Sequence, residues 1–147
     1  MLDMMYMLDM SFNPVFRSPS AARAGGFSEE EIKTLPLEKK MTPASFARMN
    51  AAIAEHLTPE RLQDPSFTDP VTIELEMLRK DGPMQWQEHI VSLVRDRAGR
   101  PAGFFGVARD ITERKRADEQ VQALNTRFAE IEEAERKRLA QILHDEV

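Results

Sequence analysis

The sequence predicts an α+β domain built on a five-stranded antiparallel sheet, followed by one long helix. Residues 71–109 alternate apolar and polar side chains and are interrupted by two glycine turns, which is typical of a three-stranded meander. Two further strand-like segments lie within residues 4–17, and short capped helical segments lie between the two groups. After residue 111 there is neither proline nor glycine, which favours an uninterrupted helix.

Helix starts are marked clearly in the first half of the chain. Ser18-Pro19 and Thr42-Pro43 each place an N-cap residue before a proline at the first helical position. Ser28 with Glu31 forms a capping box. After Thr42 the apolar residues recur every three or four positions, which predicts one long helix with one apolar face. These residues are Phe46, Met49, Ile53 and Leu57.

Composition excludes several classes of protein. The chain has 147 residues, a net charge of −5 and no cysteine. The negative charge argues against binding nucleic acid by broad phosphate neutralisation. Without a thiol there is no disulfide framework, no cysteine-ligated metal and no cysteinyl-flavin photochemistry. No apolar run approaches the roughly 20 residues that span a bilayer. We therefore expect a cytoplasmic protein with no membrane segment in this chain.

Three stretches resemble the PAS family of sensor domains. They are Ser18-Pro19-Ser20-Ala21 with Gly26-Phe27-Ser28-Glu29-Glu30, Arg79-Lys80-Asp81-Gly82 with Trp86, and the run from Gly103 to Lys115 that contains Asp110-Ile111-Thr112. The resemblance covers residues 4–115 and implies the PAS fold. Ala24-Gly25 departs from it, because the family carries two bulky apolar residues there. We expect a looser helix or a larger cavity at that point.

A PAS fold implies a ligand site between the sheet and the helices, but the sequence does not identify the ligand. A haem site is not favoured, because the family's haem pattern places its axial ligand near Met49 and not at His56. We interpret His56 as a surface residue and His89 as a strand-pairing or surface residue, with a ligand role as the alternative for each. We interpret four methionines as core packing, with adaptable contact to an apolar ligand as the alternative. They are Met5, Met7, Met49 and Met77.

The C-terminal helix carries an apolar seam spaced by four, three, four and three residues: Ala117, Val121, Leu124, Phe128 and Ile131. This heptad spacing predicts a parallel coiled-coil homodimer. Two successive four-residue steps, Ile131 to Glu135 and Glu135 to Leu139, form a stutter that locally unwinds the supercoil. The alternative is an amphipathic helix that folds back on its own domain.

Residues 135–147 resemble the phosphoacceptor box of bacterial two-component sensor histidine kinases, in the subfamily with Glu-Arg-x-Arg-Leu-Ala-x-x-Leu-His-Asp. The resemblance implies that His144 accepts phosphate and that Asp145 is the candidate general base, with Glu146 a weaker candidate. A carboxylate bonded to Nδ1–H orients the imidazole and makes Nε2 more nucleophilic. The charge runs 113–116 and 135–138 are interpreted as solvated helix faces.

These patterns divide the chain into a PAS sensor domain (1–111), a coiled-coil signalling linker (112–134) and the start of a dimerisation and phosphoacceptor helix (135–147). No Gly-rich ATP lid or nucleotide-binding domain is present, so we expect a fragment that is inactive alone. The parent kinase would use ATP and Mg²⁺, with its ATP-binding domain and a response-regulator receiver domain as partners. The alternative is a PAS ligand-binding or oligomerisation module that controls another output, such as a cyclic-nucleotide enzyme.

Overall fold

A computed structural model describes residues 3–145 of the chain. The chain divides between Thr112 and Glu113 into two units, which are described separately. The first unit holds a five-stranded antiparallel sheet with strand order β2-β1-β5-β4-β3. Its strands are β1 (Met4–Leu8), β2 (Pro14–Arg17), β3 (Val71–Met77), β4 (Gln85–Arg95) and β5 (Pro101–Asp110). The predicted fold class is confirmed.

Four short α-helices and one 3₁₀ turn connect β2 to β3. They are α1 (Pro19–Ala24), α2 (Glu29–Thr34), the 3₁₀ turn Leu37–Lys39, α3 (Pro43–His56) and α4 (Pro59–Gln63). The predicted caps are confirmed, because the hydroxyls of Ser18 and Thr42 accept the backbone N–H groups of Ala21 and Ser45. Both hydrogen bonds of the capping box between Ser28 and Glu31 are present. The 3₁₀ turn was not predicted from the sequence.

Helix α3 is attached to strand β3 through Ser45. This serine is among the most buried residues of the chain, with 1% exposed. Its hydroxyl accepts the backbone N–H of Glu76 at 2.8 Å, and the carbonyl of Glu76 accepts the N–H of Thr42 at 3.0 Å. A buried hydroxyl with a main-chain partner holds the helix at a fixed position along the strand.

Alternate residues of each strand face the helices, and this alternation corrects the prediction that Met5 and Met7 belong to the core. Met4 of β1 is buried, whereas Met5 and Met7 are 43% and 36% exposed. Successive residues of a strand point to opposite faces, so Met5 and Met7 lie on the outer face and do not belong to the core. Met49 and Met77 do lie on the inner side, where they line a cavity.

The second unit begins at Glu113 and is a single helix. This helix, α5 (Thr112–Asp145), has its first residue in the first unit. Its 34 residues correspond to a length of about 50 Å. The predicted long helix is confirmed, and Thr112 is its first residue. The Thr112 hydroxyl donates to Asp110 at 2.6 Å and accepts the backbone N–H of Trp86 at 3.0 Å. Within residues 3–145, no helix is long and apolar enough to cross a membrane.

Candidate functional site

A cavity of about 200 Å³ lies between the inner face of the sheet and the helices of the first unit. Apolar side chains form most of its wall. They include Phe27, Ile32, Leu37, Met49, Leu75 and Met77. Pockets with mostly apolar walls and a few converging polar groups are typical ligand sites.

One part of this wall is built from small residues. Ala21, Ala24 and Gly25 all line the cavity at the end of helix α1. A methyl group added at Gly25 would lie 3.2 Å from Cδ2 of Phe27, so even an alanine there would press on the lining. A larger residue at Gly25 would therefore displace the Phe27 ring.

A second cavity of about 120 Å³ lies farther along the sheet and shares six residues with the first. The shared residues are Tyr6, Leu8, Phe12, Met49, Leu75 and His89. Phe12 has a positive φ of 65° and stacks on Phe104 with ring centroids 5.0 Å apart. The Asp9 carboxylate holds this turn by accepting the backbone N–H groups of Ser11 and Asn13, each at 2.9 Å.

A row of hydrogen-bonded polar side chains begins in the wall that the two cavities share. The Tyr6 hydroxyl lies 2.8 Å from Nδ1 of His89, and Nε2 of His89 lies 2.9 Å from Oε1 of Gln87. Nε2 of Gln87 donates to Oε1 of Gln85 at 2.7 Å. Because Gln85, Gln87 and His89 alternate along β4, all three side chains lie on the inner face.

The row continues to the start of helix α5. Nε2 of Gln85 donates to Oδ2 of Asp110 at 2.8 Å. The other oxygen of Asp110 accepts the backbone N–H and the hydroxyl of Thr112 at 2.9 and 2.6 Å. The neighbouring backbone is paired as well, because Ile111 N–H donates to the carbonyl of Trp86 at 2.9 Å. Asp110 thus connects the cavity wall to Thr112, the first residue of α5.

The acceptor chemistry of Asp110 fixes the direction of every bond in the row. An ionised carboxylate only accepts, so Gln85 must present its NH₂ group to Asp110 and its oxygen to Gln87. Gln87 then presents its oxygen to His89, which must carry its proton on Nε2. Nδ1 of His89 is therefore the acceptor, and the Tyr6 hydroxyl donates to it.

Burial keeps this row uncharged except at Asp110. It lowers the pKa of His89 from 6.5 to about 4 and raises the pKa of Tyr6 above its ordinary value. Burial alone would also raise the pKa of Asp110. Hydrogen bonds from Thr112 and Gln85, together with the charge of Arg79, outweigh this effect and lower it.

Three cations of the described chain line the larger cavity: Arg17, Lys40 and Arg79. Arg17 lies directly opposite Tyr6 in the register of strands β2 and β1. Nη2 of Arg17 donates to the carbonyl of Ala21 at 3.0 Å, while Nη1 is buried and has no hydrogen-bond partner among the described residues. The nearest carboxylate oxygen, Oε1 of Glu29, lies 3.9 Å from Nη1, and the Glu29 side chain is 63% exposed. Burial, and then the nearby charge of Arg17, lower the pKa of Lys40.

The two histidines of the sensor region both line cavities, which corrects the predictions made from the sequence. His89 is buried, so its interpretation as a surface residue is wrong, although its strand pairing is confirmed by Ala108 and Ile73 opposite it. His56 is half-buried and lines the smaller cavity, which corrects its assignment as an ordinary surface residue. Tyr6, Arg17 and Lys40 were not predicted as site residues.

His144 and Asp145 occupy the last described turn of α5, and both are exposed. No hydrogen bond joins their side chains in the described part of the chain. Glu146 lies outside the described residues. Nearby, Arg136 pairs with Glu133 at 2.6 Å and Arg138 with Glu135 at 2.7 Å, which confirms the expected helix-surface pairs in the run 135–138. No group of three or more His, Cys, Asp or Glu side chains suited to a metal occurs among the described residues.

The comparison with protein families agrees with the fold. Residues 2–116 match the family described as PAS fold. The chain belongs to the PAS family. The larger cavity therefore lies between the sheet and the helices of a PAS domain, and the row from Tyr6 to Thr112 leads from its wall to the end of the fold.

Relatives of this PAS domain occur in signalling proteins. The sensor histidine kinase TmoS of Ectopseudomonas mendocina is 25% identical over 114 residues, which are 78% of this chain and 11% of TmoS. The chain thus spans about a tenth of that relative's length.

Two solved structures share the fold at lower identity. A sensory box histidine kinase/response regulator from Burkholderia thailandensis E264 has a TM-score of 0.65 and 20% identity, covering 86% of this chain and 90% of that one. The N-terminal domain of a diguanylate cyclase with a PAS/PAC sensor from Marinobacter aquaeolei has a TM-score of 0.60 and 17% identity, covering 78% and 99%.

Proposed function

We propose that this chain is the sensory and dimerisation portion of a two-component histidine kinase, in which the PAS domain controls the phosphoacceptor His144. The observation that carries the proposal is the sequence Glu135 to Asp145 on a single exposed helix that follows directly from a PAS exit. Eight residues of this stretch match the kinase box: Glu135, Arg136, Arg138, Leu139, Ala140, Leu143, His144 and Asp145. The kinase relative TmoS supports it independently over the PAS region.

The shape of helix α5 fits a dimer. Val121, Leu124, Phe128 and Ile131 lie on one seam, and each exposes more than half of its side chain. A second copy would cover this seam in knobs-into-holes packing. The stutter that begins at Ile131 lies just before the box, so the dimer would reach His144 through a segment of locally unwound supercoil.

The proposed chemistry is phosphoryl transfer to an imidazole nitrogen. Nε2 of His144 attacks the γ-phosphorus of ATP, the bond from that phosphorus to the β,γ-bridging oxygen breaks, and ADP leaves. The imidazole loses its Nδ1 proton to Asp145 as the N–P bond forms. ATP and Mg²⁺ would be held by the kinase's ATP-binding domain, and the phosphate would pass to an aspartate of a response-regulator receiver domain.

Phosphoryl transfer to this chain tests the assignment. The chain is incubated with radiolabelled ATP and an ATP-binding domain from a kinase of this subfamily, beside the variants His144→Gln and His56→Gln. We expect label that is labile in acid and stable in base in the wild type and in H56Q, and none in H144Q. Equal labelling of H144Q would refute the phosphoacceptor assignment.

The likeness to a diguanylate cyclase sensor domain supports a second candidate, a PAS module that controls a cyclic-nucleotide enzyme. Both candidates share the Asp110-Ile111-Thr112 exit, and only residues 135–147 separate them. A wild-type chain that takes no label from an active ATP-binding domain would favour this candidate.

A further inference from the structure

We propose that the larger PAS cavity binds a small monoanionic carboxylate, with its carboxylate between Arg17 and Lys40 and its apolar body among the side chains beneath α1 and α3. The ligand class is a single aromatic ring, or a chain of about six carbons, that carries one carboxylate. This inference does not depend on the role of His144, because it concerns the first unit alone.

The positive charges of Arg17 and Lys40 are only partly neutralised by a carboxylate. Arg17 and Lys40 bring two positive charges to the same wall, and the one carboxylate near Arg17 is 3.9 Å away and largely in solvent. The described residues offer the Lys40 ammonium no hydrogen bond or ion pair. Two neighbouring, partly desolvated cations repel each other, and a bound anion would remove that repulsion. The third cation of the lining, Arg79, acts on the Asp110 carboxylate, and Glu29 offsets only part of the charge of Arg17. A net positive charge therefore remains beside Arg17 and Lys40, and an anionic group would balance it.

The free donors favour a carboxylate over a phosphate. Nη2 of Arg17 is already bonded to the carbonyl of Ala21, while Nη1 is a buried guanidinium nitrogen without a hydrogen-bond partner among the described residues. Nη1 and the Lys40 ammonium together can satisfy the two oxygens of one carboxylate. A phosphate would bring a third oxygen and a second negative charge, which cost more to desolvate among the mostly apolar walls of this cavity.

The rest of the cavity suits an apolar body of limited size. A cavity of about 150 Å³ with apolar walls takes one benzene molecule, so about 200 Å³ accommodates one ring and a short linker. The wall formed by Tyr6 and His89 is neutral, because the two side chains are uncharged and bonded to each other. The ligand's charge therefore belongs beside Arg17 and Lys40, and its apolar part contacts the apolar side chains of the lining.

The test is isothermal titration of the full chain with phenylacetate and hexanoate, each compared with its primary amide. The amides keep the shape and remove the charge. We expect both acids to bind in a saturable way and both amides to bind about tenfold more weakly, as expected for the loss of one charge-assisted contact. Amides that bind as tightly as the acids, or acids that do not bind at millimolar concentration, would overturn the proposal.

Two neighbouring lysines provide a matched pair of variants. Lys40→Gln removes the cation in the cavity, whereas Lys39→Gln removes the exposed cation beside it. We expect K40Q to weaken acid binding about tenfold and to melt at the same temperature as the wild type or higher, because it relieves the repulsion with Arg17. K39Q should bind normally. A folded K40Q chain with wild-type affinity would contradict the proposal.

One further arm separates this inference from the kinase assignment. The chain with His144→Gln should bind phenylacetate as tightly as the wild type, because the cavity is distant in sequence from the box. Binding that persists while phosphoryl transfer fails would refute only the role of His144. Phosphoryl transfer that occurs without any acid binding would refute only the ligand class.

Discussion

The hydroxyl of Tyr6 on β1 lies 2.8 Å from Nδ1 of His89 on β4, although strand β5 separates the two strands. The contact is possible because Gly106 of β5 lies directly opposite Tyr6 in the register. A Cβ atom at position 106 would overlap the Tyr6 ring and hydroxyl. One glycine thus lets a side chain cross a strand, and the crossing starts the polar row that ends at Thr112.

Removing the Tyr6 hydroxyl should leave a buried acceptor without its partner. We expect Tyr6→Phe to lower the free energy of unfolding by about 1–3 kcal/mol, measured by urea denaturation, because Nδ1 of His89 loses its donor. In a His89→Leu background the same change should lower the free energy of unfolding far less, since the hydroxyl then has no imidazole acceptor. Equal costs in the two backgrounds would show that the Tyr6–His89 bond is not the cause.

A methyl group at position 106 should force Tyr6 out of its place. We expect Gly106→Ala to destabilise the domain by about 1–3 kcal/mol through overpacking, seen as a lower melting temperature. Gly25→Ala is the control, because its added carbon would meet only the edge of the Phe27 ring, a side chain that can shift. If G25A and G106A lower the melting temperature equally, close packing on Tyr6 is not what requires a glycine at 106.

The buried His89 should make stability depend on pH in mildly acidic solution. The unfolded chain takes up a proton near pH 6.5, whereas burial lowers the pKa of His89 to about 4 in the folded state. The contribution of neutral His89 to the free energy of unfolding is therefore fully present above pH 6.5. It is lost as the pH falls toward 4, by about 3 kcal/mol in total. Urea denaturation between pH 4.5 and 7 (about two and a half units) measures this loss.

The variant His89→Leu should remove most of that slope, because it has no imidazole to protonate. The aspartates with lowered pKa values, Asp9, Asp64, Asp96 and Asp110, ionise below their ordinary value of 3.8 and act mainly below this window. A slope that is unchanged in H89L would assign the acid sensitivity to other groups.

The apolar seam of α5 should control the association of two copies. Phe128 lies at the middle of the seam and is 64% exposed. We expect light scattering to give a dimer mass for the wild type at tens of micromolar and a monomer mass for Phe128→Glu, since a charge in the seam cannot be desolvated at low cost. Arg127→Gln lies off the seam and should remain a dimer. A monomeric wild type would contradict the coiled coil.

The sequence predicted the strands and helix starts well because those signals are local. Alternation over β3 and the caps at Ser18, Ser28 and Thr42 depend on neighbouring residues only. The first strand shows the limit of such signals. All five residues of β1 are apolar, so alternation could not show which face is buried, and Met5 and Met7 were assigned to the wrong one.

The candidate site was harder to predict, because it is assembled by strand order. Tyr6 and His89 are 83 positions apart and meet only when β1 and β4 flank β5. The sequence did hold one usable signal, since polar residues at 85, 87 and 89 share a strand face that becomes apolar farther along. Arg17 and Lys40 offer no such signal. Their closeness arises from helical connections that local patterns do not position.

The common direction of the hydrogen bonds in the polar row has one further consequence. Reversing a single glutamine in the middle would set two NH₂ groups against each other or two oxygens against each other, so the side chains can only reverse together. Complete reversal would turn the oxygen of Gln85 toward Asp110, which can donate to it only when protonated. The row therefore has two self-consistent hydrogen-bond arrangements, one in each direction, and no intermediate arrangement. The arrangement in which Gln85 turns its oxygen toward Asp110 requires a proton on Asp110, whereas the other requires the ionised carboxylate.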